Sequence, residues 1–206
     1  MDAAILAGGR ARRFGGRDKS ALDVGRASIF DRQLAALRGL ADRILVVTAE
    51  PGRFEGTGVE TIADVVPGAG ALGGLYTALT AARADHVLVL ACDLPFVTAA
   101  FLGRLAALAG PDVDAVVPRS RDGWQPLCAV YATSLAPIVR RRIESGDLKI
   151  TDWLPTLRTR KVGAEEIALV DPDGLLFFNV NSLADLDRAN RLVARMSGTA
   201  ADRRNP

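Results

Sequence analysis

The sequence predicts a one-domain α/β fold, a three-layer sandwich with helices on both faces of a mostly parallel sheet and one reversed edge. Three observations carry this. Short apolar runs (Ala3–Ala7, Ile44–Val47, His86–Ala91) alternate with segments of helical periodicity. The runs are apolar almost throughout, as strands covered on both faces are, and do not alternate with polar residues. Gly8, Thr48, Asp64 and Asp93 each stand just past the end of a predicted strand, where an open parallel sheet would line them along its carboxyl edge.

Taken in order, Ala3–Ala7 is a buried strand followed by the basic, glycine-rich stretch LAGGRARRFGGRDK from Leu6 to Lys19. Residues 21–24 form a short extended piece ending at Gly25. Ser28 and Asp31 make a capping pattern for a helix with Phe30, Leu34, Leu37 and Leu40 on its apolar face. Ile44–Val47 is the second strand. After a loop marked by Pro51, Gly52, Gly56 and Gly58, Val59–Ile62 is a weaker third. A second glycine-rich loop, residues 67–74, runs into a helix spanning about residues 72–83. His86–Ala91 is the strongest strand and ends in Cys92-Asp93-Leu94-Pro95; Thr98 caps a helix carrying Phe101, Leu102, Leu105 and Leu108.

The second half is less regular. Strands are expected at Asp114–Pro118 and Gln125–Tyr131, an edge strand at Lys161-Val162, and helices at 134–144 and 150–157. Ser134 and Ser182 read as helix caps. Ser182 and Asp185 open a last helix with Leu183, Leu186, Ala189 and Val193 inward. The domain is expected over residues 1–196, with 197–206 a frayed polar tail.

The chain has 206 residues and a formal net charge of +2, too small to imply a nucleic-acid or membrane partner. Its two cysteines, Cys92 and Cys128, make no disulfide framework, and without a signal peptide the expected location is the cytoplasm. Cys92 reads as a small buried hydrophobe. His86 is the single histidine and stands at the start of a strand, far from the carboxyl edge, so no Ser/His/Asp set can form. Arg140-Arg141-Arg142 reads as a solvated helix face.

Chemistry concentrates in the first loop. Gly8-Gly9 and Gly15-Gly16 allow backbone N–H groups to close on an anion, and Arg10, Arg12, Arg13, Arg17 and Lys19 add positive charge. A triphosphate suits such a loop better than a single carboxylate. The spacing matches neither Gly-x4-Gly-Lys-Ser/Thr nor Gly-x-Gly-x-x-Gly. A plain basic surface turn is the alternative, which the loop's place right after a strand disfavours. Asp93 is the candidate Mg²⁺ ligand, because Mg²⁺ takes one or two carboxylates together with phosphate oxygens. The alternative is an Asp that caps the following turn.

Leu-Ala-Gly-Gly-x-x-x-Arg-x-Gly-x-x-x-Lys, formed by Leu6, Ala7, Gly8, Gly9, Arg13, Gly15 and Lys19, resembles the signature loop of the molybdenum cofactor guanylyltransferase family, with Phe14 in place of the usual Met. Cys92-Asp93-Leu94-Pro95 and Asn179-Val180-Asn181 are similar to further marks of that family. The resemblance covers roughly residues 3–193 and implies the nucleotide-diphospho-sugar transferase type of Rossmann-like fold. It also implies transfer of GMP from GTP to molybdenum-bearing molybdopterin with release of pyrophosphate.

The same resemblance implies catalytic roles for Lys19, Arg13 and Asp93. GTP contacts would come from these and from Leu6, Ala7, Gly8, Gly9, Gly15, Thr48 and Asp64. Mg²⁺ would sit on Asp93 and Asn181, and the acceptor on Gln125, Pro126, Asn179 and Asn181. Molybdoenzymes or their chaperones would be transient partners. Thr48 stands where relatives often have Asn, and Gly70-Ala71-Leu72-Gly73-Gly74 lacks the family's proline. On residues alone, Asn181 could equally help cap the last helix. A cytidylyltransferase making the cytosine dinucleotide, whose loop usually reads Leu-Ala-Ala-Gly, is the nearest alternative. A sugar-phosphate nucleotidyltransferase and a non-catalytic nucleotide sensor or cofactor-delivery protein are more distant ones.

Overall fold

The computed structural model describes residues 1–8 and 21–202. Strands are β1 Asp2–Leu6, β2 Asp23–Val24, β3 Ala27–Ser28, β4 Arg43–Thr48, β5 Glu60–Ala63, β6 His86–Ala91, β7 Ala115–Ser120, β8 Gly123–Trp124, β9 Cys128–Ala132 and β10 Thr159–Val162. Helices are α1 Ile29–Leu37, α2 Gly70–Ala81, α3 Ala99–Ala107, α4 Ala136–Glu144, α5 Ile150–Trp153, α6 Ala164–Ala168 and α7 Leu183–Asp202. The main sheet runs β10-β7-β9-β6-β1-β4-β5, with β8 paired to β7; β2 and β3 form a separate hairpin.

The apolar runs become central strands for the expected reason. All five residues of β1 are buried, and Ala4 lies opposite Leu45 of β4 on one side and Val89 of β6 on the other, both parallel. Successive side chains point to opposite faces. Ala3 and Ile5 therefore join Phe30, Leu34 and Leu37 of α1 and Phe101, Leu102 and Leu105 of α3. Ala4 and Leu6 join Leu72, Leu75 and Leu79 of α2, Val139 of α4 and Trp153 of α5. Two apolar layers, each between the sheet and its helices, make the three-layer sandwich, and each large side chain so buried contributes about 1.5–3 kcal/mol. A third cluster, with Leu22, Val24, Ile29, Phe96, Val180 and Ala189, seats the β2–β3 hairpin and α7 beside it.

The reversed strand is not at an edge. β9 runs antiparallel between β6 and β7, and its five residues are all buried. The chain leaves β7 and turns back at once, with Ser120 paired to Gly123 at φ +117. A connection that short can only join antiparallel neighbours. The strand expected from Gln125 begins three residues later, because Gln125–Leu127 bridges β8 to β9. The edge strand β10 is present, parallel to β7.

Other element ends also differ from expectation. α1 stops at Leu37, before Leu40, because Gly39 turns the chain at φ +80. Ser28 and Thr98 cap α1 and α3 as expected, their Oγ atoms accepting from Asp31 N–H (3.0 Å) and Phe101 N–H (3.3 Å). Ser134 is not a cap: it lies in a 3-10 turn, Thr133–Leu135, and α4 starts with Pro137 in its first turn. Arg142 is not on a solvated face; it pairs with Asp147 at 2.7 Å and lies over the Trp153 ring. Arg140, paired with Glu144, is exposed.

Leu183 is 63% exposed, not inward. α7 packs through its later turns, where Asn190 Oδ1 accepts from Gly25 N–H at 2.8 Å, and Leu183 lies about two turns before that contact. A Cβ on Gly25, whose φ is +72, would come within 2.8 Å of Val193 Cγ1. The helix continues to Asp202, into the stretch 197–206 expected to be a frayed tail. Among the described residues, no helix is long and apolar enough to cross a membrane.

Candidate active site

The chain lays down β1, β4 and β5 outward in one direction, then returns to place β6 on the other side of β1. That reversal opens a crevice at the carboxyl ends of β1 and β6, the position where open α/β sheets take ligands. Because β5, β4, β1 and β6 are mutually parallel, Gly8, Thr48, Asp64 and Asp93 share one edge. Backbone hydrogen bonds carry the register past the strand ends. Ala7 N–H reaches Val47 O (2.8 Å), Asp64 N–H reaches Thr48 O (3.0 Å) and Cys92 N–H reaches Leu6 O (3.2 Å).

Asp93 lies in the turn after β6. Its carbonyl oxygen accepts from Val180 N–H at 3.0 Å, which brings Asn179 and Asn181 to the same edge. No strand leads into these residues; they are held as a loop by that bond and by the fully buried Val180 side chain. Asp185 organises the step into α7, its Oδ2 accepting from Asn181 N–H (3.0 Å) and the Ser182 hydroxyl (2.8 Å). The Ser182 hydroxyl beside Asp185 holds that carboxyl below the usual range. The expected capping pattern is therefore formed, and Asn181 enters it through its backbone N–H.

On the other side of Asp93, Ala91 N–H reaches Leu127 O at 2.7 Å and places Gln125–Leu127 beside the end of β6. Gln125 Nε2 donates to Ser120 Oγ at 3.0 Å, and Pro126 O accepts from the Tyr131 hydroxyl at 2.7 Å. Burial pushes the Tyr131 phenol well up and the Cys128 thiol to about 12, so both stay neutral. Arg119 lies over the Trp124 ring, 5.4 Å from its centroid, on the hairpin above them.

Asp64 and Thr48 reach the edge with their side chains engaged in the protein's own turns. Thr48 is buried, its Oγ1 accepting from Glu50 N–H at 3.2 Å. Asp64 Oδ1 accepts from Val66 N–H at 3.0 Å, and the buried Thr77 hydroxyl lies 3.0 Å from both Asp64 Oδ1 and Gly73 O. Gly73 and Gly74 are helical, as the expected helix start at about residue 72 implies; α2 begins two residues earlier, at Gly70. A Cβ on Gly74 would stand 3.2 Å from Leu6 Cδ1, so glycine lets α2 settle closely on the end of β1. A Cβ on Gly8 would meet no atom of the described residues within 4 Å.

Gly9, Arg13, Gly15 and Lys19 lie outside the described residues. Cys92 is half-buried, and the two cysteines form no disulfide. His86 begins β6 at the opposite edge of the sheet, as expected. Sequence reasoning missed Gln33. It is fully buried on α1, and its Nε2 donates to Ala91 O (2.7 Å) and Leu94 O (3.2 Å). The signal was a polar residue inside the apolar pattern Phe30, Leu34, Leu37.

Comparison with known proteins decides the family. The MobA-like NTP transferase domain matches residues 3–161. The chain belongs to this family. It is 30% identical over 189 residues to "Molybdenum cofactor guanylyltransferase" of Desulfosudis oleivorans, covering 92% of this chain and 94% of that one. It is 34% identical to "Probable molybdenum cofactor guanylyltransferase" of Chloroflexus aggregans, covering 97% and 96%. The crystal structure of molybdopterin-guanine dinucleotide biosynthesis protein A from Archaeoglobus fulgidus superposes with a TM-score of 0.77 at 28% identity, over 95% of this chain and all of that one. A MobA-like domain is a nucleotidyltransferase.

Among the described residues, no three His, Cys, Asp or Glu side chains gather as a metal cluster. One carboxylate with a neighbouring amide oxygen still fits a hard cation that completes its shell with phosphate oxygens and water. Asp93 and Asn181 are such a pair by type, and the Val180–Asp93 bond keeps their backbones together.

Proposed function

We propose that the chain transfers GMP from GTP to molybdenum-bearing molybdopterin, releasing pyrophosphate and forming the guanine dinucleotide form of the cofactor. The observation that carries this reading is the joining of Asp93 to the Asn179–Asn181 loop at the β1/β6 crevice, in a family whose similar members bear the guanylyltransferase name.

The GTP would lie over Leu6, Ala7, Gly8 and Gly9, with Arg13, Gly15 and Lys19 around its phosphates. The acceptor would lie on the other side, against Gln125, Pro126, Asn179 and Asn181. Its terminal phosphate attacks the α-phosphorus of GTP in line, and the bond from that phosphorus to the bridging oxygen breaks. A phosphate monoester has its second pKa near about 6, so it is largely ionised at neutral pH and needs no general base. This suits an edge that has no histidine.

Catalysis then rests on positioning and charge. Lys19 and Arg13 draw charge from the triphosphate, and Asp93 with Asn181 would hold Mg²⁺. When bound, Mg²⁺ supplies charge neutralisation for the phosphate oxygens. Thr48 and Asp64 support the crevice through the turns they close.

The test is pyrophosphate release from GTP with molybdenum-bearing molybdopterin as acceptor. The wild type should release pyrophosphate only when the acceptor is present. Asp93→Ala should abolish release while keeping its circular dichroism. Near wild-type release by that variant at saturating Mg²⁺ would remove Asp93 from the chemistry.

A further inference from the structure

Gln33 is a costly residue for its position. It projects from α1 into the layer filled by Phe30, Leu34 and Leu37, and it is 0% exposed. Its Oε1 has no hydrogen-bond partner among the described residues. A buried acceptor left unpaired is unfavourable, and leucine would fill such a site without that penalty. What glutamine adds is its Nε2, which donates one hydrogen to Ala91 O at 2.7 Å and the other to Leu94 O at 3.2 Å. Those two carbonyls flank Cys92 and Asp93. Both partners can only accept, so the amide orientation is fixed.

We infer that Gln33 is a positioning residue: its buried amide clamps the Ala91–Leu94 turn and thereby sets the place of the Asp93 carboxylate for metal and triphosphate. The inference rests on the proposed reading of Asp93 as the metal-holding group. The turn is then held from three directions. Cys92 N–H is tied to Leu6 O in the sheet, Asp93 O to Val180 N–H, and the carbonyls on either side to Gln33. The first two fix single points. Gln33 spans the turn and fixes its two ends relative to each other, which restricts rotation of the peptide units that carry Asp93. Side chains that orient a metal ligand matter to affinity or activity by about 10–100-fold when removed.

Gln33→Met keeps the length and removes both donors. Leu37→Ala, one turn further along α1, is a comparator that opens a cavity in the same layer and removes a side chain that makes no hydrogen bond to the turn. Mn²⁺ is titrated into the GTP-saturated full chain without acceptor, with its binding read by electron paramagnetic resonance. The kcat and KM for GTP come from pyrophosphate release at saturating metal, and Tm from thermal unfolding. Gln33→Met should weaken Mn²⁺ binding at least about tenfold and lower kcat, with KM for GTP within about twofold. Leu37→Ala should lose at least as much Tm and keep wild-type Mn²⁺ affinity.

Asp93→Ala separates the two readings. If it loses Mn²⁺ affinity while Gln33→Met does not, the clamp is refuted and the metal reading stands. If Asp93→Ala keeps wild-type affinity, the metal reading fails and the clamp with it. Equal loss of affinity in Gln33→Met and Leu37→Ala would make Gln33 a stability residue only. Should Gln33→Met not fold, Gln33→Asn, which withdraws the amide by one carbon, takes its place with the same expectations. Failure of both to fold would assign Gln33 to the core and overturn the inference.

Discussion

Asp93 draws its position from residues far away in the chain, and this explains why some of its surroundings could be read from the sequence and others could not. Cys92-Asp93-Leu94-Pro95 and Asn179-Val180-Asn181 are short, contiguous patterns, so they were visible, and the resemblance implied that Asp93 and Asn181 meet; the bond from Val180 N–H to Asp93 O that joins them has no sequence signal. Gln33 was invisible as a site residue because its two acceptors lie 58 and 61 positions away. Thr48 and Asp64 were placed at the correct edge, but their engagement with Glu50, Val66 and Thr77 depends on turn geometry that residue type alone does not give. The loop cations belong to this scale too, although they lie outside the described residues. Lys19→Ala should weaken GTP binding by about 2–5 kcal/mol, the cost of truncating one partner of a buried charge contact. Arg17→Ala should be nearly neutral. GTP titration of both variants checks this, and equal losses would mean a diffuse basic patch in place of a positioned cradle.

Elements were legible where one period ruled them. The uniform apolar runs of β1, β4 and β6 marked strands covered on both faces, and the Ser28 and Thr98 caps marked where α1 and α3 begin. Errors gathered where a glycine or a tight turn overrode the period: Gly39 ends α1 early, and the two-residue turn before Gly123 sends β9 into the sheet interior. The second glycine group was placed across a loop and the start of a helix at about residue 72; sequence does not show that Gly74 lets α2 approach Leu6 closely. Gly73 gives the seating of α2 against the turn before it a direct check. A Cβ there would stand 2.8 Å from Val66 O and 3.0 Å from Ala69 Cβ, both rigidly placed. Gly73→Ala should therefore destabilise by about 1–3 kcal/mol, read from the urea midpoint. Gly74→Ala should cost less, since the Leu6 side chain can move. A Gly73→Ala protein as stable as wild type would show that α2 is not seated by this contact.

At the scale of the molecule, the strand order creates the crevice and the crevice collects the polar residues. The sequence predicted the layers and the shared carboxyl edge, because parallel strands joined by helices leave few other arrangements. It could not supply the strand order, which past β6 depends on the hairpin that returns β9 beside it. The proposed function makes one demand on the whole site, that it select guanine. On the proposed reading, the Gly8-Gly9 pair, which carries no side chains, would leave room for a purine, and backbone carbonyls of the loop would accept from guanine N1–H and N2–H₂. With CTP those carbonyls would lose their donors, at about 1–3 kcal/mol for each buried group. The deciding measurement is a competition between equimolar GTP and CTP for molybdenum-bearing molybdopterin, with the dinucleotide products resolved by mass. Guanylyl transfer predicts the guanine product in at least about tenfold excess, the ratio that about 1.4 kcal/mol supplies; a cytosine product in equal or greater amount would contradict it.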